Sequence, residues 1–227
     1  MKNDCARVTI SGADDAVDPD ALAILSADFP FVEWGILLSP KREGTPRYPT
    51  RSWVDRLVAR HNCGLAAHLC GQYTRDAEVG KFPWPIWHRG FSRVQINGWE
   101  KLTRGIRDAV SDLRLPPIIL QVRSEEQLAA ICDEKLNTSI LYDPSGGTGR
   151  RTEAWPAIPS HVLGFGFGYA GGICPENVEE VLAEIGAQRM PYWIDMESGV
   201  RRDDQFDLYR VRDVLSKVAA LKGVRDG

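Results

Sequence analysis

Ile140-Leu-Tyr-Asp-Pro-Ser-Gly-Gly-Thr-Gly149 is a short apolar run that ends at a carboxylate, Asp143, continues into three glycines and is then expected to open a helix. The same design returns in Tyr169-Ala-Gly-Gly-Ile-Cys-Pro-Glu-Asn-Val178 and again in Trp193-Ile-Asp-Met-Glu-Ser-Gly-Val200. Glycines after a strand let backbone N–H groups converge, and the N-terminus of a following helix adds partial positive charge, so such a place suits a phosphate. Three of these strand ends in succession predict one ligand pocket built from neighbouring strands.

Outside these stretches, apolar strands and amphipathic helices alternate along the whole chain. The predicted strands occupy residues 7–11, 31–38, 65–70, 93–97, 117–122, 139–142, part of 162–169, and 192–195. The first predicted helix begins at Asp18, and the others cover residues 51–61, 100–113, 124–135, 176–185 and 206–221. Residues 71–90 are expected to be irregular. A strand–helix alternation through eight strands without a hairpin signal predicts an α/β fold, a single (β/α)8 TIM barrel that covers residues 1–227 as one domain.

Several helix starts carry local signals. Asp18 is a typical cap before Pro19, and Ser124 with Gln127 has the spacing of a capping box. Pro175 is expected in the first turn of its helix. Each signal satisfies, or removes, a backbone N–H group that the first helical turn leaves without a partner.

Composition excludes several classes of protein. With 227 residues, 43% hydrophobic and 26% charged, the chain has the composition of a soluble globular protein with a sizeable core. A net charge of −3 gives no electrostatic reason to expect nucleic acid or a membrane as a partner, and no apolar run approaches the ~20 residues of a membrane span. The N-terminus lacks a signal-peptide pattern, and five scattered cysteines without a C-x-x-C fit reduced thiols, so a cytoplasmic location is predicted.

Polar residues occupy the strand positions that face the inside of such a barrel, since the opposite positions must be apolar against the helices. These residues are Thr9, Ser11, Glu33, His68, Cys70, Gln95, Asn97, Gln121, Arg123, Asp195 and Glu197. Leaving them unpaired costs roughly 1–3 kcal/mol each, so they need one another, water or a ligand. They predict either a site of chemistry or a mutually satisfied polar plug. The side chains that could bind a metal lie on separate strands and lack the sequence spacing of a metal site, so no metal or cofactor is predicted.

Six segments resemble phosphoribosylanthranilate isomerase of tryptophan biosynthesis. They are Thr9-Ile-Ser-Gly12, Gly35-Ile-Leu-Leu-Ser-Pro-Lys-Arg42, Val94-Gln-Ile-Asn-Gly-Trp-Glu100, residues 142–149, residues 170–178 and residues 195–201. The last three, in that order, are the most specific. The resemblance implies that backbone N–H groups bind phosphate around Gly147, Gly149, Gly171, Gly172, Ser198 and Gly199.

The resemblance also implies that Asp143 is the general acid of an Amadori rearrangement, which converts an aminoaldose to an aminoketose. The enzyme would then be an intramolecular oxidoreductase of the aldose–ketose type. A carboxyl group at a barrel mouth suits protonation of a furanose ring oxygen. From the residues alone, Asp143 before Pro144 also fits a simple turn.

The strand-one general base of that family is a cysteine, and the residue here is Ser11. An alcohol accepts protons far less readily than a thiolate, so the loss should remove much of the ~10²–10⁴-fold gain from acid–base catalysis. His68, Cys70 and Glu33 are candidate substitutes, although a lone cysteine or histidine is also an ordinary core residue. Two further departures are Arg201 for glutamate and Asn97 for histidine, and residues 71–90 are candidates for a lid.

The basic loop after the second strand has two interpretations. It is either a solvated surface loop, or Arg42 or Arg47 binds a carboxylate or second phosphate of the substrate. Further substrate contacts are expected from Gln95, Asn97, Arg123 and Asp195.

Three functions remain open from the sequence. The first is an isomerase or lyase of a phosphorylated sugar or sugar-amine with an altered base. The others are a genuine phosphoribosylanthranilate isomerase and a phosphosugar-binding paralogue without catalysis. All three predict a phosphorylated small molecule as partner, in a monomer or homodimer.

Overall fold

The computed structural model describes residues 4–60, 62–83, 90–152, 154–162, 166–188 and 190–223. Eight parallel strands follow one another around a closed barrel, and the eighth pairs with the first. They are β1 (Cys5–Ser11), β2 (Val32–Leu38), β3 (Leu65–Leu69), β4 (Arg93–Ile96), β5 (Ile118–Val122), β6 (Ser139–Tyr142), β7 (Phe167–Ala170) and β8 (Tyr192–Met196). The predicted (β/α)8 barrel is confirmed.

Helices cover the outside of the barrel. They are α1 (Pro19–Asp28), α2 (Arg51–Val58), α3 (Gln72–Glu78), α4 (Arg104–Ser111), α5 (Glu125–Asp133), α6 (Val178–Ile185) and α7 (Leu208–Gly223). In the part of the chain described, none of them is both long and apolar enough to cross a membrane. Completely buried side chains such as Trp34, Ile36 and Trp53 fill the layer between strands and helices.

The expected cap of α1 is confirmed, because the Asp18 side chain accepts from Asp20 N. At α5 only half of the capping box forms: Ser124 Oγ accepts from Gln127 N, whereas Gln127 Oε1 accepts from Arg123 N at 2.7 Å. Pro175 lies in a turn before α6 rather than in its first turn, since the helix begins only at Val178.

Residues 71–90 were expected to be irregular, yet α3 occupies part of them. Its Thr74 Oγ1 donates to Leu69 O at 3.0 Å and to Asn97 O at 2.6 Å, so the helix is fixed to the ends of β3 and β4. These contacts join segments far apart in the chain, which local periodicity does not report. Residues 84–89, the remainder of the predicted lid, lie outside the described residues.

The helix expected after the glycines of β6 is absent from the described residues between β6 and β7, where only a 3-10 turn, Ser160–Val162, is found. Gly146, Gly147 and Gly149 all have positive φ, which a right-handed helix cannot continue. A short hairpin that the sequence did not signal pairs β9 (Arg201–Arg202) with β10 (Gln205–Phe206). Its turn residues Asp203 and Asp204 have φ of 51° and 57° in place of the usual Asn-Gly.

The lower interior of the barrel holds a polar plug built around Glu33. Glu33 accepts from Arg7 Nη1 at 2.9 Å, from Thr9 Oγ1 at 3.1 Å and from the Arg93 guanidinium, which also stacks over Trp193 at 4.4 Å. Burial alone would raise the pKa of Glu33, but the two arginines and Thr9 lower it below its ordinary value. The plug interpretation therefore holds for this layer, and any chemistry must lie above it.

Candidate active site

A cavity of about 810 Å³ opens at the carboxyl ends of the barrel strands. This is the end at which TIM-barrel enzymes place their active sites. Apart from Glu33, the site residues expected from the sequence line it: Ser11, Arg42, Arg47, His68, Cys70, Gln95, Asn97, Arg123, Asp143, Gly147, Gly149, Gly171, Gly172, Asp195, Ser198 and Gly199. Residues far apart in the chain thus meet because parallel strands deliver their ends to one rim.

The loops after β6, β7 and β8 touch one another and form what we call the phosphate cup, named for the ligand predicted from the sequence and made of Gly149, Gly171, Gly172, Ser198 and Gly199. A Cβ added at Gly199 would lie 1.9 Å from Ile173 O, and one at Gly149 would lie 3.0 Å from Ser198 Cβ. Only glycine permits the contact at Gly199. Within the described residues, the N–H groups of Gly172, Ser198 and Gly199 donate to no protein acceptor. Uncommitted N–H groups on converging loops are a site for an anion.

Gly147 lies at the edge of this cup but its N–H is already used. It donates to Asp143 Oδ2 at 3.1 Å and to Ser145 Oγ at 3.3 Å. Gly147 therefore belongs to the turn that holds Asp143 and has no free N–H for a phosphate.

Asp143 points into the cavity and is 4% exposed. Besides Gly147, Gln121 Nε2 donates to its Oδ2 at 2.7 Å, and Ser145 Oγ donates to its Oδ1 at 2.6 Å. An ionised carboxylate accepts all three. A hydroxyl both donates and accepts, so Ser145 can also accept a hydrogen bond from Asp143 when that residue carries a proton.

Ser11, His68 and Asp195 converge above Gly35. Ser11 Oγ donates to Asp195 Oδ1 at 3.0 Å, and Asp195 Oδ2 lies 3.9 Å from His68 Nε2. A Cβ at Gly35 would lie 2.3 Å from Ser11 Oγ and 2.6 Å from His68 Cε1, so the missing side chain makes room for both. In the described part of the chain, neither Asp195 Oδ2 nor His68 Nε2 has a hydrogen-bond partner.

Burial governs the charges of this group. It raises the pKa of Asp195 well above its ordinary value, opposed by the Ser11 hydrogen bond and reinforced by the charges of Asp143, Glu197 and Glu33. It lowers the pKa of His68 to about 4. Near neutral pH His68 is uncharged, so despite their proximity His68 and Asp195 do not form an ion pair.

The sequence matches the protein family described as "N-(5'phosphoribosyl)anthranilate (PRA) isomerase" over residues 88–217, more than half of the chain. This chain belongs to that isomerase family. An N-(5'-phosphoribosyl)anthranilate isomerase of Rippkaea orientalis is 25% identical over 221 residues, which cover 93% of this chain and 95% of that protein. One of Streptococcus gordonii is 34% identical over 80 residues, which cover 35% of this chain and 38% of that protein.

Solved structures share the barrel. Phosphoribosyl anthranilate isomerase from Thermus thermophilus has a TM-score of 0.66 at 23% identity, covering 95% of this chain and 99% of that chain. The N-(5'-phosphoribosyl)anthranilate isomerase of Pyrococcus furiosus has a TM-score of 0.60 at 14% identity, covering 94% and 98%. At these identities the likeness establishes the fold.

Two of the candidate substitutes for the family's cysteine are unsuited to accept the proton, Cys70 because of its protonation state and Glu33 because of its position. Burial raises the pKa of Cys70 to about 11, so it is a thiol, and its Sγ accepts from Asn97 Nδ2 at 3.4 Å. Glu33 is held by its arginines in the plug below the cavity. His68 remains neutral, and its Nδ1 lies 3.3 Å from Gln95 Nε2.

Arg47 reaches the cavity but is already paired. Its Nη1 donates to Glu197 Oε1 at 2.5 Å and to Ser198 Oγ at 3.3 Å, and its Nη2 pairs with Asp204. The expectation of a clamp for a substrate carboxylate did not include these two acidic partners. Glu197 could have been found from the sequence, because it lies two residues after Asp195 and so points to the same side of the strand. Asp204 could not, because it lies in the hairpin that the sequence did not signal.

The other arginines of the site differ in how they are held. Arg42 stacks over Tyr48 at 4.2 Å and donates to its hydroxyl at 3.3 Å. The exposed Arg123 guanidinium makes no ion pair with any described residue and lies against the turns at Gly98 and Gly146. Among the described residues, no group of three or more His, Cys, Asp or Glu side chains has the arrangement of a metal site.

Arg201, which stands where the family has glutamate, has a structural role. It is buried, donates to Gly12 O at 2.7 Å and contacts Asp14 Oδ2 at 3.4 Å. The arginine therefore joins the loop after β1 to the hairpin after β8 and is not among the residues that line the cavity.

Proposed function

We propose that this protein isomerises a phosphorylated sugar-amine, converting an aminoaldose to an aminoketose by an Amadori rearrangement. Family membership supports an isomerase. It does not support the narrower description as an intramolecular oxidoreductase, so the aldose–ketose type is part of this proposal. The observation that carries it is the position of Asp143, whose buried carboxyl group faces the same cavity as the phosphate cup and accepts from Gly147 at the edge of that cup.

The cup fixes the 5-phosphate, and this places the furanose ring over the strand ends. Asp143 then protonates the ring oxygen as the bond from that oxygen to carbon 1 breaks, and the amine nitrogen forms an iminium ion. Loss of the proton on carbon 2 gives an enolamine, which becomes the ketone when carbon 1 gains a proton. Binding energy from the phosphate is available to orient the reacting carbons, because the phosphate group itself does not react.

Two kinds of amine are candidates for the portion of the substrate that is attached to the sugar. The relatives are named for phosphoribosylanthranilate, whose carboxylate needs a cation, and Arg123 is a guanidinium free to supply it. A different, uncharged amine portion is favoured by the pairing of Arg47 with Glu197 and Asp204. Complementation of a strain that lacks phosphoribosylanthranilate isomerase separates these: growth supports the first, and failure with well-expressed protein supports the second.

The proposal is tested by incubating the purified protein with N-(5'-phosphoribosyl)anthranilate and with other phosphoribosyl amines, and following the sugar carbons by NMR. Asp143→Asn should reduce turnover at least about 10²-fold while phosphate affinity stays nearly unchanged. Asp108→Asn, an exposed carboxylate on α4, is the matched control and should behave as wild type. Tight binding without conversion of any substrate would instead identify the non-catalytic paralogue.

A further inference from the structure

Two residues that line the cavity each carry a buried polar atom without a hydrogen-bond partner among the described residues: Asp195 Oδ2 and His68 Nε2, which lie 3.9 Å apart. Both side chains are at least nine-tenths buried. Leaving such groups unpaired costs roughly 1–3 kcal/mol each, a cost that a ligand placed against them removes. Such a pair next to Ser11, the position of the family's cysteine, indicates a role in the reaction of the substrate.

We propose that Asp195 is the general base of this enzyme, taking the proton from carbon 2 of the sugar that the strand-one cysteine takes elsewhere in the family. The inference rests on the proposed isomerisation and names the residue that the sequence left unassigned. Ser11 is a positioning residue in this scheme, since it holds Oδ1 and leaves Oδ2 without a partner among the described residues.

The proton balance closes within the site. The Asp195 carboxylate accepts the carbon 2 proton, the C–H electron pair becomes the C1–C2 double bond, and the C=N pair returns to nitrogen. Protonated Asp195 then delivers its proton to carbon 1, and the enol hydroxyl returns a proton to the Asp143 carboxylate as the ketone forms. Both carboxyl groups end in their starting states, so the step needs no further reagent.

The geometry favours Asp195 over its neighbours. His68 offers Nε2, but its Nδ1 lies against the Gln95 amide, which donates its other hydrogen to Asn97 Oδ1 at 2.9 Å. With Nδ1 as the acceptor, the ring hydrogen is on Nε2, so His68 is a hydrogen-bond donor toward the substrate and not a base.

The serine at residue 11 also suits this role of Asp195 better than a cysteine would. A hydroxyl is a better hydrogen-bond donor than a thiol, so Ser11 holds the Asp195 carboxylate more firmly than a cysteine would. Moreover, a desolvated carboxylate is more basic than an exposed one. The exchange thus moves the base from strand β1 to its neighbour β8.

The pH profile follows from the groups that face Asp195. These are Ser11 on β1, Glu33 on β2, His68 on β3, Asp143 after β6 and Glu197 after β8. Only ionised Asp195 accepts a proton, so kcat/KM should rise with pH through a pKa above that of an ordinary aspartate. Ser11→Ala removes a hydrogen bond that favours the ionised form, and should move this rise to higher pH.

The decisive experiment is a rescue. Asp195→Asn should lower turnover at least about 10²-fold and abolish removal of deuterium from carbon 2 of a labelled substrate, with inorganic phosphate binding unchanged. The double variant Ser11→Cys/Asp195→Asn, which restores the thiol of the family, should recover part of both. Asp108→Asn again serves as control.

The outcomes separate the two proposals. Wild-type turnover that persists in Asp195→Asn would overturn the role of Asp195 and leave the isomerase intact. Activity lost in Asp195→Asn and not regained in the double variant with Ser11→Cys, while phosphate still binds normally, would also contradict a base that replaces the thiol. Absence of turnover in the wild-type protein on every phosphoribosyl amine would reject the proposed function itself.

Discussion

At the scale of single residues, the partners of a charged side chain decide what it can bind. Arg47 lines the cavity, yet its guanidinium is shared between Glu197 and Asp204. Its hydrogen-bonding capacity toward a substrate is correspondingly reduced. Asp195, by contrast, has one oxygen held by Ser11 and the other without a partner in the described residues.

Glu197→Gln is predicted to improve recognition of a carboxylate-bearing substrate. The change removes the charge that neutralises Arg47, and a partly exposed ion pair of this kind is worth about 1 kcal/mol, which corresponds to roughly fivefold in affinity. The measurement is KM for N-(5'-phosphoribosyl)anthranilate. Asp112→Asn, whose carboxylate pairs with Arg114 outside the cavity, is the control. An unchanged KM would show that Arg47 does not meet this carboxylate.

At the scale of elements, the phosphate cup depends on how closely the loops after β7 and β8 approach. Gly199 has no side chain between its backbone and Ile173 O, and the loops meet there. Because the contact is between two backbones, no rotamer change can relieve an added methyl group.

Gly199→Ala should therefore weaken binding of inorganic phosphate at least about tenfold, since the loops that carry the free N–H groups must separate. Isothermal titration calorimetry measures the effect. Gly223→Ala is the control, because a Cβ there meets nothing within 4 Å. Equal phosphate affinity in the two variants would show that Gly199 is not needed for phosphate binding.

At the scale of the whole molecule, the plug below the cavity connects strands on one side of the barrel. Glu33 on β2 joins β1 and β4 through Arg7, Thr9 and Arg93. Breaking a buried ion pair leaves an uncompensated charge, which costs several kcal/mol.

Glu33→Gln should lower the free energy of unfolding by about 3 kcal/mol at pH 7. Because the folded pKa of Glu33 lies below its ordinary value of 4.5, its stabilisation is present above that value and is lost as pH falls through the folded pKa. The difference from wild type should thus be smaller at pH 4 than at pH 7. Urea unfolding at both pH values measures this.

The control for this prediction is Glu176→Gln, which removes an exposed carboxylate paired with Arg210 and should cost less than about 1 kcal/mol. A loss in Glu33→Gln that is small at pH 7, or that grows toward low pH, would contradict the account of the plug.

Much of the fold was predictable because each strand carries its own period-two pattern and each cup loop its own glycines. Asp18, Ser124 and the glycines of residues 146–149 act on their immediate neighbours, and local sequence shows such effects directly. Helix α3 and the β9–β10 hairpin were missed because contacts from distant segments and an unusual Asp203–Asp204 turn stabilise them.

By itself, the sequence determined the barrel, the rim at which the predicted site residues meet and the glycine-containing turns after β6, β7 and β8, since periodicity and backbone freedom are local properties. Only the tertiary structure decided which side chains meet: Asp195 on Ser11 across 184 residues of chain, and Arg47 on Glu197 across 150. The physical reason is that protonation and pairing depend on burial and on distances of a few ångströms, which closure of the barrel fixes between strands remote in the chain.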